Sequence, residues 1–156
     1  MDCTFKTNEG KFNFRVGAII QDGNKVLMAR NPADNLCYSV GGRVKMNETL
    51  EEAVIREVFE ETGIRTEIDR MGFVHENFFT DSENVRFHEI SIFFYVKADE
   101  KLLAVENGYK TTGGCAGEYL EWIDLDKKYD FKIFPAFYFE ELKNKSDNVK
   151  HIVTID

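Results

Sequence analysis

Three carboxylates fall at relative positions 0, 3 and 4 in the run Arg56-Glu57-Val58-Phe59-Glu60-Glu61, and no other stretch of the chain restricts its folding so tightly. In an α-helix that spacing places all three on one side. Two unit charges about 6 Å apart at an effective dielectric of about 20 repel by roughly 3 kcal/mol. The cluster must therefore splay into water or be offset, and a bound hard cation would offset it.

The flanking residues give such a helix definite ends. Thr49 with Glu52 three residues later forms a capping box, and Gly63 supplies the left-handed stop that helices commonly use. Between them Ile55, Val58 and Phe59 fall roughly opposite Glu57, Glu60 and Glu61 at about 100° per residue. That predicts one face packed on the protein and an acidic face turned outward. Ahead of the helix, Gly41-Gly42 lets the backbone bend sharply or approach a ligand closely.

Residues 12 to 20 alternate apolar and polar with the period of a half-buried strand, and Asp22-Gly23-Asn24 turns the chain into the run 25 to 30, which predicts a hairpin. Asn31 to Asn35 reads as a polar loop and Leu36 to Val40 as a short strand. After Gly63, Arg65 to Phe79 alternates imperfectly. Thr80 to Asn84 reads as a turn, and Phe87 to Val96 as a strongly apolar strand. Asn107 to Gly117, with four glycines, suits a mobile loop, Glu118 to Ile123 resumes an extended pattern, and Pro135 to Lys143 predicts a second amphipathic helix. Val149 to Ile155 is a last strand or a frayed end. The order of elements predicts a mixed α/β fold in one domain spanning residues 1–156.

At 43% hydrophobic the chain has ample material for one core. The start lacks the apolar stretch of a signal peptide and the longest apolar run, Ile92 to Val96, is too short to span a bilayer, so a cytoplasmic protein without membrane contact is expected. Cys3, Cys37 and Cys115 are an odd set without close pairing and read as free thiols. A formal charge of −8 disfavours stable binding of nucleic acid by counterion release. It leaves a polyphosphate substrate open, because divalent ions at the acidic helix would reverse the local field.

The stretch Gly42 to Ile64 matches, position for position, the signature Gly-x5-Glu-x7-Arg-Glu-U-x-Glu-Glu-x-Gly-U of the Nudix hydrolases, through Gly42, Glu48, Arg56, Glu57, Val58, Glu60, Glu61, Gly63 and Ile64. The resemblance implies the Nudix α/β/α sandwich, with a central mixed sheet between helices and the signature forming a loop-helix-loop. It also implies hydrolysis of a pyrophosphate bond in a nucleoside diphosphate linked to another group, with magnesium or possibly manganese as cofactor. Homodimers occur among such relatives. The rival reading is a Nudix-like module that binds a nucleotide without cleaving it; isomerisation of isopentenyl diphosphate would want further histidines and a catalytic cysteine.

On that resemblance Glu57 and Glu61 are the main metal ligands, and Glu60 binds metal or positions water. Glu48 and Arg56 form a supporting pair, Arg56 aligning carboxylates and Glu48 capping or relaying water. Glu118 is the candidate general base, with Glu121 and Glu89 in reserve. Arg30 and Arg43 are candidate phosphate donors beside Gly41 and Gly42. Phe78, Phe79, Phe87 and Tyr119 read as core rather than as a stacking platform. The chain departs from the usual pattern at Tyr38-Ser39-Val40-Gly41-Gly42, which lacks the proline commonly found before the glycines. At Phe78, Phe79 and Thr80 it lacks the residues that mark ADP-ribose or dinucleoside-polyphosphate hydrolases.

Overall fold

The computed structural model describes residues 1–111 and 113–156. Its elements are β1 (Thr4–Lys6), β2 (Lys11–Ile19), β3 (Gln21–Asp22), β4 (Lys25–Asn31), β5 (Leu36–Arg43), α1 (Leu50–Thr62), β6 (Ile68–Thr80), β7 (Arg86–Val96), α2 (Glu100–Leu103), β8 (Tyr109–Lys110), β9 (Tyr119–Asp124), β10 (Lys132–Phe134), α3 (Tyr138–Glu141) and β11 (Lys150–Ile155). They form a mixed sheet in the order β11-β6-β7-β2-β5-β4-β9-β8. The strand β5 joins its two halves: Leu36–Ser39 pairs with β4, and Val40–Arg43 pairs with β2.

The sheet separates two cores. Val16, Ala18, Ile20, Leu27 and Ala29 face one way and pack with Ala53, Val54 and Val58 of α1 and Leu102 of α2. Ile19, Val26, Met28, Phe73 and Phe93 face the other way and pack with Tyr138 of α3 and Leu142. This alternation is the period-2 pattern of strands that bury both faces, and it produces the expected α/β/α layering. Each fully buried valine or leucine contributes about 1.5–3 kcal/mol relative to exposure.

Three expectations are corrected. Residues 12–20 and 25–30 do not form one long hairpin, because β5 lies between β2 and β4 and only Gln21–Asp22 doubles back on Lys25–Val26. β2 is buried near its end, so its backbone N–H and C=O groups need partners on both edges, and β5 and β7 supply them. The second helix shrinks to Tyr138–Glu141: Phe137 stands at its N-cap and makes no side-chain capping bond. On α1 the buried residues are Ala53, Val54, Val58, Glu61 and Thr62, whereas Phe59 is 50% exposed. Glu61 sits about 60° from Val58 around the helix at about 100° per residue, so the acidic and apolar stripes are neighbours rather than opposites.

The tail forms β11 along the edge strand β6, and the cysteines are free thiols. Thr112, inside the loop expected between Asn107 and Gly117, lies outside the described residues. Among the described residues no helix is long and apolar enough to cross a membrane.

Candidate active site

Helix α1 has the ends its sequence requires. Thr49 accepts a hydrogen bond from the Glu52 amide, Glu52 returns one from the Thr49 amide, and Gly63 closes the helix at φ 73°. These caps set the phase of the helix. Val54 and Val58 seat it on the sheet, and Glu57 and Glu61 are thereby carried to the strand pair β2–β5.

That pair is a seam almost without side chains. Gly17 lies opposite Gly41, and Val16 opposite Gly42. A Cβ on Gly42 would stand 2.5 Å from the Glu57 carboxylate, and one on Gly41, at φ 154°, would collide with the Val16 carbonyl. Glycine is needed at both positions so that the carboxylates of α1 can lie against the backbone. The Gly41 amide donates to Glu61 Oε1 at 3.2 Å, while Glu61 Oε2 is buried without a hydrogen-bond partner among the described residues.

Arg56 offsets much of the repulsion the spacing implies. Its guanidinium donates to Glu48 at 2.5 and 3.0 Å, to Glu57 at 2.6 Å, to Glu60 at 3.4 Å and to the Arg43 carbonyl at 3.0 Å. Glu48, held chiefly by Arg56 and also by the Lys45 amide, has its pKa lowered. Burial raises the pKa of Glu57, against the pull of Arg56. Burial pushes Glu61 up to about 8, the Gly41 amide only partly opposing it.

Among the described residues, no three acid, imidazole or thiol side chains converge as an ion cage in this arrangement. The donor chemistry nevertheless fits a hard divalent cation. Glu57 and Glu61 present carboxylate oxygens one turn apart, and the unpartnered Oε2 of Glu61 is an acceptor awaiting a positive partner. Arg56 now lies where it draws Glu57 and Glu60 toward itself.

A consequence can be measured on metal-free protein. Folded Glu61 keeps its proton to about pH 8, whereas an unfolded glutamate ionises near 4.5. Between those values the folded state holds more protons, so stability is full below about pH 4.5 and falls as pH rises toward 8. Urea midpoints should decline across this window by an amount worth a few kcal/mol. Glu61→Gln should flatten the decline, as should saturating magnesium; an unchanged slope in the variant would refute the assignment.

The other expected residues divide. Glu118 is 5% exposed with its pKa raised by burial, and its loop meets α1 where Gly113 lies against Glu60. Arg43 contributes its carbonyl to Arg56, while its own guanidinium reaches Asp2 at 3.5 Å. Arg30 does not join the group. It projects with Met28 to the α3 side, donates to the carbonyls of Asn31 and Leu36, and stacks over Phe131 at 4.0 Å. It locks the loop that Asn31 to Asn35 forms. Glu121 also faces the α3 side, where its charge raises the pKa of Cys37. Phe79 stacks on Phe87, and Phe78 on His88, at the far end of β6–β7. Arg15, absent from the expected set, is the cation whose charge lowers the pKa of both Glu57 and Glu61. Its signal was an arginine two residues before Gly17 in a strand that turned out to be central.

Comparison with known proteins places this geometry in a wider group. The model of the NUDIX domain matches residues 11–137. An ADP-ribose pyrophosphatase of Methanocaldococcus jannaschii is 34% identical over 114 residues, 71% of this chain and 61% of that protein. An 8-oxo-dGTP diphosphatase of Escherichia coli is 40% identical over 58 residues, 35% of this chain and 45% of that protein. With a MutT-like protein of Streptomyces ambofaciens, the matches span between 40% and 61% of these curated relatives' own lengths. In fold, the chain resembles the crystal structure of a MutT protein from Bacillus halodurans, with a TM-score of 0.62 and 18% identity over 92% of this chain and 90% of that one.

Proposed function

The chain belongs to the Nudix family, and from that premise we propose that it is a divalent-metal-dependent pyrophosphohydrolase acting on a nucleoside diphosphate linked to another group. The observation that carries this reading is the pair Glu57 and Glu61, set against a glycine seam with one buried oxygen unpartnered. When bound there, magnesium or manganese would neutralise phosphate charge and acidify the attacking water. Glu57 and Glu61 would hold it, with Glu60 at the exposed edge.

The chain's own groups supply the rest. Arg56 fixes the directions of Glu48, Glu57 and Glu60 through five hydrogen bonds, two to Glu48, one to Glu57 and one to each oxygen of Glu60. The backbone of Gly41 and Gly42, free of side chains, lets the Glu57 and Glu61 carboxylates lie against the strand, and a phosphate would meet the glycine turn through the metal they hold. Glu118 takes the proton from water, since a carboxyl whose pKa is raised by burial is better matched to proton transfer near neutral pH than an exposed one. No covalent protein nucleophile is required.

The relatives named above suggest ADP-ribose and 8-oxo-dGTP as first substrates to try. In a panel of nucleoside diphosphate derivatives with magnesium or manganese, phosphatase-coupled phosphate release is expected for at least one compound and should stop when the metal is chelated. Tight nucleotide binding without turnover across the panel would instead identify a regulatory module.

A further inference from the structure

The two edges of the sheet are built differently. At one end β8 contributes only Tyr109–Lys110, a length that leaves little backbone open. At the other end β11 runs for six residues in unbroken parallel register with β6, and among the described residues nothing pairs with its outer side. Sheets usually blunt such an edge with proline, a bulge or outward-pointing charge. The run Lys150-His151-Ile152-Val153-Thr154-Ile155 contains no proline and no bulge, and from Ile152 onward every residue is β-branched. Its two basic side chains are turned onto the molecule itself, Lys150 to Glu141 at 2.5 Å and His151 to Glu76 at 2.7 Å.

The bond from the Asp156 amide to the Phe78 carbonyl fixes the phase of the strand. Backbone groups alternate in direction, so Lys150, Ile152 and Thr154 turn theirs toward β6 with Asp156, while His151, Val153 and Ile155 present their N–H and C=O groups outward. The side chains of those same outward residues are exposed, Val153 by 50% and Ile155 by 76%. Solvated aliphatic side chains along an open ladder are a pairing surface.

The strand is also complementary to itself. Turned antiparallel about a two-fold axis at Val153, it sets Val153 opposite Val153 of the second copy, His151 opposite Ile155, and Lys150 opposite Asp156. His151, Val153 and Ile155 then meet as hydrogen-bonded pairs, and their side chains cover one another on one face. On the other face lysine meets aspartate, and no like charges stand opposite.

We infer that β11 is a self-association edge, on which a second copy of this chain docks its own β11 antiparallel and joins the two sheets into one. The match of Lys150 to Asp156 selects a second copy over an unrelated strand. β11 stands three strands from β2, so Glu57 and Glu61 of each copy remain a complete pair, and the interface does not depend on the proposed function. One strand pair is a small contact beside the roughly 1,200–2,000 Å² of standard interfaces, so the dimer should dissociate on dilution into the micromolar range.

Sedimentation equilibrium over a dilution series through that range tests it. The native chain should pass from dimer to monomer. Val153→Lys, which brings two ammonium groups together at the axis, should weaken the dimer by about tenfold or more. Its melting temperature in dilute solution should stay close to native, because Val153 is half exposed. Charge exchange separates this edge from any other surface. Lys150→Asp and Asp156→Lys should each lose self-association, since like charges then stand opposite, yet an equimolar mixture of the two should form a heterodimer, since each variant supplies the charge the other lacks. A native chain that stays monomeric at the highest concentration, a dimer indifferent to Val153→Lys, or charge variants that do not associate on mixing would each overturn the inference.

Discussion

Glu57→Gln is expected to lower turnover by a factor of about 10² or more, the usual cost of losing one charge-stabilising group, while leaving the fold intact. The structure explains why the two effects separate. The Glu57 side chain is 12% exposed and its pKa is raised by burial, so a neutral amide of the same shape relieves desolvation as it loses the ion pair with Arg56. What it removes is one of the two inward carboxylates available to a cation. Steady-state kinetics at saturating magnesium, alongside a urea melt, will check both halves. Wild-type turnover on every substrate that the native protein accepts would end the metal assignment.

Arg56→Met is expected to strike folding and chemistry together. The arginine is 21% exposed in its side chain and is the shared partner of Glu48, Glu57 and Glu60. Deleting one partner of a fully buried charge pair typically costs 3–5 kcal/mol; with solvent at the edge of this one, about 2–3 kcal/mol is the expected loss in urea unfolding. Three carboxylates would then face one another without an internal cation. Added magnesium should restore part of the lost stability, because it supplies positive charge at the same place, and the restoration should exceed the stabilisation of wild type by magnesium. An equal effect of magnesium on both proteins would show that Arg56 and the ion do not serve the same carboxylates.

The helix caps were legible because they depend on residues a few positions apart: Thr49, Glu52 and Gly63 behave as local chemistry requires. So was the arrangement of Arg56 among the glutamates, one and four residues from it. The inward face was harder to read. Val58 and Phe59 are equally apolar, and only the sheet decides that Val58 is buried and Phe59 is not. The same sheet makes Glu61 an inward residue, against the ordinary behaviour of glutamate. Arg30 illustrates the opposite failure. An arginine at a strand end is a sound phosphate donor in isolation, but strand parity sends it to the face away from α1, where Phe131 and two carbonyls take it up. The long-range pairing of β2 with β5 and β7 left no trace that a turn at Asp22-Gly23 could reveal, because sequence adjacency favours the wrong neighbour.

The bond from Gly41 to Glu61 has a further consequence for variation in this protein. Arg56 or Glu48 can each be lost to a single codon change, and with them the contacts they make. The donor that anchors Glu61 belongs to the main chain, so replacing the residue that carries it does not remove the N–H unless the replacement is proline. Substitutions at that position act instead by displacing the strand, since any Cβ there meets the Val16 carbonyl. In a saturation library the site should therefore behave as all-or-nothing, with glycine alone active.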